Sequence, residues 1–172
     1  YGDSKWNSRY GYGFKLGSHG KNLRGDQHWQ PNKTASKDES VKVYKLHGSL
    51  HFKIAGEKVY LKQRPYTKQA GKPKFTIIPP ESNKRYDEGV FANMWRQAGK
   101  ALHGATSLVI IGYSIPFTDS HANALLRLSI KKEALKSLVI VNPDREARFR
   151  TREIVKRGLS QNTRVLVFDT LA

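Results

Sequence analysis

Leu108-Val109-Ile110-Ile111-Gly112-Tyr113-Ser114 and, thirty residues later, Leu138-Val139-Ile140-Val141-Asn142-Pro143-Asp144 follow one pattern. Each is an unbroken apolar run of four that ends in a small or polar triplet. A half-buried strand alternates apolar with polar residues, so an unbroken run predicts a strand covered on both faces. Between the two runs, Asp119 precedes Ala122, Leu125, Leu126 and Ile130, which share one face of a helix that the Asp119 carboxylate can cap. Asp144 stands in the same relation to a second helix over residues 145–157, and Arg164–Phe168 is a third apolar strand. Strand, helix, strand, helix, strand predicts parallel pairing, because a parallel neighbour is reached only by a crossover. The expected architecture is α/β, a Rossmann-like three-layer parallel sheet with helices on both faces. In such sheets ligands settle beyond the carboxyl ends of the strands. Those ends are Gly112-Tyr113-Ser114 and Asn142-Pro143-Asp144, the candidate site.

Upstream, Tyr86–His103 reads as an amphipathic helix with Val90, Phe91, Met94, Trp95, Ala98, Ala101 and Leu102 on one stripe. Phe75–Ile78 is a short strand stopped by Pro79-Pro80, and Glu57–Leu61 is one arm of a hairpin. Val41–Leu46 alternates and leads into Leu50–Phe52, which predicts short strands interrupted at His47-Gly48-Ser49. Residues 1–40 hold Gly2, Gly11, Gly13, Gly17, Gly20 and Gly25 without a sustained period, and read as a loop-rich arm ahead of a body at 41–172.

Composition bounds the chemistry. The chain has 172 residues, and no apolar run exceeds four, far short of the roughly 18 that a spanning helix needs. It has no cysteine, which excludes disulfide scaffolds, cysteine nucleophiles and thiolate zinc sites. That composition fits a reducing compartment, no signal pattern occupies the start, and a cytoplasmic location is expected. The net charge is +17, concentrated in residues 41–80 with nine basic and one acidic group. Such a field attracts nucleic acid, nucleotides or acidic partners. Tyr60, Tyr66 and Phe75 interleave with the lysines there, which keeps single-strand stacking open beside a plain solvated surface. Familiar signatures fail: Gly11, Gly13 and Gly17 miss the dinucleotide spacing, and Pro116 replaces the last glycine of a nucleophile elbow. His47 and His51 do not converge on an extended segment, so no metal is expected.

Four segments remain: Lys45-Leu46-His47-Gly48-Ser49, Ile77-Ile78-Pro79-Pro80, the run from Val109 through Gly112, Tyr113 and Ser114 to Asp119, and Val139-Ile140-Val141-Asn142-Pro143-Asp144. In this order and spacing they resemble the sirtuin-like NAD-binding superfamily, nearest its bacterial zinc-less branch, whose members hydrolyse NAD in antiphage defence. The resemblance implies that His47 is the catalytic base acting on a ribose hydroxyl, a task suited to an imidazole near neutral pH. It further implies that Gly112, Tyr113 and Ser114 hold the cofactor and that Asn142 contacts its adenosine side. Gly48 keeps the backbone beside His47 low enough for a sugar to approach, and Asp144 can accept from a ribose hydroxyl. NAD is then substrate or ligand. The family's glycine-rich loop and its Thr-x-Asn-Tyr-Asp-like strand end do not occur in the sequence. The chain therefore reads as the C-terminal portion of such a domain, nearly inactive alone. The other reading is a non-catalytic basic Rossmann-like module that binds nucleic acid or a nucleotide-bearing partner, and an oligomer is compatible with both.

Overall fold

A computed structural model describes residues 41–49, 52–55, 58–61, 77 and 89–170. The expected arm at 1–40 lies outside them. The chain divides into two compact units, Tyr1–Pro79 with Arg85–Gln97 and Pro80–Lys84 with Ala98–Ala172.

In the first unit, β1 (Phe52–Ala55) pairs antiparallel with β2 (Lys58–Leu61), so the expected hairpin arm is present and its partner is the segment after His47. The alternation over Val41–Leu46 does not make a strand. Val41 and Val43 are exposed, and the chain instead closes local turns, with the Leu46 amide donating to Tyr44 O and the Gly48 amide to Lys45 O. Among the described residues this stretch joins no strand ladder, and these local bonds shape the chain ahead of Gly48. Of the expected strand at 75–78 only Ile77 is described, in a single antiparallel bridge with Gly48. Helix α1 is described from Gly89 to His103. Met94 and Ala98 are buried as its stripe requires, whereas Ala101 is exposed.

The second unit holds the parallel sheet, β3 (Ser107–Ile111), β4 (Ser137–Val141) and β5 (Arg164–Phe168), in the order β3-β4-β5. Helix α2 (Ser120–Ser129) connects the first pair and α3 (Arg145–Val155) the second. The Rossmann-like α/β fold is as the sequence predicts. Asp119 caps α2, its Oδ1 accepting from the Ala122 amide, and Asp144 caps α3, its Oδ1 accepting from the Glu146 amide. One face of the sheet builds the core: Ile110, Leu138 and Ile140 pack with Ile130, Leu135 and Val155. Alternation of side chains sends Val109, Ile111 and Phe168 to the other face, where they are about half exposed.

Two glycines make close helix contacts. A side chain at Gly99 would meet Leu125 and Ser129 of α2, so the end of α1 lies against α2. Gly158, in the single 3₁₀ turn after α3, is buried against Ile130, and a Cβ there would lie 2.7 Å from Ile130 Cβ. No helix among the described residues is long and apolar enough to cross a membrane.

Candidate functional site

The register Ile111↔Val141↔Phe168 leaves the three strands flush at their carboxyl ends. Two further backbone bonds carry the pairing one step beyond the sheet, from the Gly112 amide to Val141 O and from the Asn142 amide to Phe168 O. The two triplets singled out by sequence therefore leave the sheet side by side. Gly112 turns the first loop away at φ +67°, a conformation that glycine adopts without penalty, and a Cβ there would find nothing within 4 Å. Gly112 thus lies open, with room above its backbone.

The loop beyond Gly112 is held through its carbonyl oxygens. Tyr113 O accepts from Asn142 Nδ2 at 3.2 Å, and Ser114 O accepts from Arg150 Nε and Nη2 at 3.2 and 3.1 Å. Pro116 O accepts from Asn123 Nδ2 and from the Asp119 amide. The C=O and N–H of a trans peptide point in opposite directions. Gripping the oxygens of Tyr113 and Ser114 on the α3 side therefore turns the Ser114 and Ile115 amides the other way. Neither amide has a hydrogen-bond partner among the described residues. Ile115 is held at φ +53° and is 2% exposed. Positive φ is an outlier for a β-branched residue, and such strain persists only where the surroundings over-determine it.

Tyr113 packs on the core cluster, and its phenol donates to Asp119 Oδ2 at 2.7 Å. Burial first, then the hydrogen bond and the charge of Asp119, hold this phenol protonated well above the usual tyrosine range. Asp119 is buried and uses both oxygens, one on Tyr113 and one on the α2 amide. Asn142 is 5% exposed and bridges the loops: its Nδ2 reaches Tyr113 O, and its Oδ1 accepts from the Asp144 amide at 2.9 Å. Arg148 Nη1 donates to Asn142 O at 2.6 Å and to Pro143 O at 3.1 Å. Asp144 caps α3 with one oxygen, and its other oxygen lies 3.6 Å from Arg150 Nη2. About half of the Asp144 side chain remains exposed.

His47 and Gly48 belong to the first unit. His47 sits in the turn that ends at Gly48, which takes φ +84°. Trp95 supports this turn from α1: its Nε1 donates to Leu46 O at 3.2 Å, and its ring meets the His47 ring edge-on at 5.8 Å between centroids. Trp95 therefore does more than fill the helix stripe; it anchors the backbone that presents the imidazole. Lys45 Nζ reaches Ser49 Oγ at 3.4 Å across the same turn.

Within the second unit the fold brings Gly112, Tyr113, Ser114, Asn142 and Asp144 together at one sheet end. Sequence reasoning missed Arg148 and Asn123, which grip carbonyls of the loop ahead of their own helices, missed Arg150, whose partner lies on the β3 loop, and missed the strain at Ile115. The arginine spacing on α3 was the available signal, since Arg148 lies one turn beyond Asp144 on a helix that begins at the site. No group of three or more His, Asp or Glu that could hold a metal ion occurs among the described residues.

No curated protein and no solved structure matches the chain. A family profile described as a SIR2-like domain matches residues 12–161, which take in the His47 turn and both strand-end loops. The chain belongs to the SIR2-like domain family.

Proposed function

We propose that this chain binds NAD at the carboxyl ends of β3 and β4 and supplies part of an NAD-hydrolysing centre. SIR2-like domains generally bind NAD, and the chemistry of the strand ends suits a dinucleotide. The observation that carries the reading is the pair of amides at Ser114 and Ile115, without a partner among the described residues, beside the open Gly112, because consecutive backbone N–H groups make an anion-binding concavity. Asp144, half exposed, can accept from a ribose hydroxyl. Asn142 acts chiefly by setting the two loops. His47 is the proposed general base, taking a proton from a ribose hydroxyl as water replaces nicotinamide at the ribose carbon. The products are nicotinamide and ADP-ribose. The antiphage setting rests on the sequence resemblance alone.

The test joins binding and turnover. ADP-ribose and NAD titrated calorimetrically into the 172-residue chain should bind, with little nicotinamide released, because the sequence lacks the asparagine that should orient the reacting ribose. In a longer protein carrying that motif, His47→Ala should reduce nicotinamide release about a hundredfold or more. An unchanged rate removes His47 from the chemistry. Binding of single-stranded nucleic acid that weakens steeply with salt, in the absence of ADP-ribose affinity, would favour the basic binding module instead.

A further inference from the structure

Ile115 is a poor residue for positive φ on two counts. Its branched Cβ crowds the backbone, and the following Pro116 favours an extended residue before it. Something outside the residue must hold it there. The angles ψ of Ser114 and φ of Ile115 together set the plane of the peptide between them, and the oxygen of that peptide is the atom Arg150 grips with two N–H groups. Fixing the oxygen fixes the plane. The guanidinium is itself oriented by Asp144 Oδ2 at 3.6 Å and carried on α3. On the far side of Ile115, Pro116 O is gripped by Asn123 and Asp119, so the strained residue lies between two anchored carbonyls.

We propose that Arg150 is a positioning residue: it holds the Ser114–Ile115 peptide in the orientation that turns the Ile115 amide toward the phosphate oxygens of the dinucleotide. The ligand in this inference rests on the NAD reading above; the clamp rests on the hydrogen bonds alone. Without the clamp, rotation of this peptide lets Ile115 return to negative φ. The same rotation swings the Ser114 carbonyl toward the anion, replacing an attractive dipole with a repulsive one. A lysine does not substitute, since it offers a single point of charge where two N–H groups of a rigid fork converge on one oxygen.

The experiment compares wild type, Arg150→Lys and Arg150→Gln by three measurements. The φ of Ile115 is read from NMR couplings and chemical shifts without ligand, ADP-ribose affinity by calorimetry, and stability by thermal melting. The expected result is a loss of positive φ at Ile115 in both variants, with ADP-ribose affinity down about tenfold or more. Positive φ retained in Arg150→Gln overturns the clamp, as does a change in melting temperature with φ and affinity unaltered. A wild type that does not bind ADP-ribose overturns the NAD reading, and the φ measurement then still decides the clamp.

Discussion

The loops that follow β3 and β4 leave the same sheet edge in opposite ways. The β4 loop is short and is shaped by bonds close in sequence: Asn142 Oδ1 takes the Asp144 amide, Asp144 Oδ1 takes the Glu146 amide, and Arg148, six residues on, grips Asn142 O. The β3 loop is longer, takes positive φ at Gly112 and Ile115, and is held by Asn142, Arg150 and Asn123 from elsewhere. A loop that supplies its own bonds can be rigid by itself. A loop held from outside presents its amides only while its neighbours are in place, which ties the geometry of the β3 loop to the folding of α2 and α3. The difference is one of where the information sits: along the chain in the first case, across it in the second.

Four substitutions test this contrast. The largest effect is expected from Asn142→Ala, which removes a buried side chain serving both loops and leaves Tyr113 O and the Asp144 amide without this partner. Each such loss costs roughly 1–3 kcal/mol, so urea unfolding should show a loss of about 2–6 kcal/mol. A loss below 1 kcal/mol would mean that the loops are held without Asn142. Gly112→Ala comes next. Nothing obstructs the added methyl, so only the left-handed backbone opposes it, at about 1–2 kcal/mol; an unchanged unfolding midpoint would show that the loop relaxes to negative φ.

Tyr113→Phe tests the join between the β3 loop and α2 through pH. The folded-state pKa of Tyr113 is raised, so the native state holds its proton above the pH at which the unfolded chain releases it. The stability it contributes is fully present below about pH 10, the unfolded value, and is lost as pH rises above that. Melting of the wild type should therefore fall more steeply than that of Tyr113→Phe above pH 10, and parallel curves would detach Tyr113 from the alkaline transition. The smallest effect is expected at the self-shaped loop: Asp144→Ala should cost about 1 kcal/mol as a lost cap, whereas Asp144→Asn, which still caps, should stay within a few tenths. Equal losses for the two would show that the charge facing Arg150, rather than the cap, is what matters.

Much of the second unit was legible in the sequence for a physical reason. Leu138–Val141 is continuous because β4 is the inner strand of the three, Leu108–Ile111 keeps the same pattern beside it although Val109 and Ile111 are about half exposed, and Asp119 and Asp144 stand where helices need acceptors. These are local requirements, so local patterns carry them. Val41–Leu46 misled because alternation states only that a strand would suit the residues, whereas among the described residues the segment joins no ladder. Arg150, Asn123 and Trp95 were not legible as supports, since their partners are 36, 7 and 49 positions away. Ile115 was the least readable of all, because branched side chains argue against the conformation it adopts. The positions that host the site residues were readable; the devices that aim them were not.

The contact between Gly158 and Ile130 leaves a mark of its own on which sequences this fold can accept. With the 3₁₀ turn set directly on Ile130, and Ile130 closing α2 over the core, the two positions share one small volume. Neither can be changed freely while the other stays. A methyl at 158 would lie 2.7 Å from the Ile130 Cβ, an atom that every residue but glycine keeps, so trimming Ile130 to alanine does not clear it, and a bulkier side chain at 130 has only the turn to displace. Gly158→Ala should therefore be harmful whether position 130 carries isoleucine or alanine, so that the glycine behaves less as a flexible joint than as a seat whose side-chain space a neighbouring Cβ already fills.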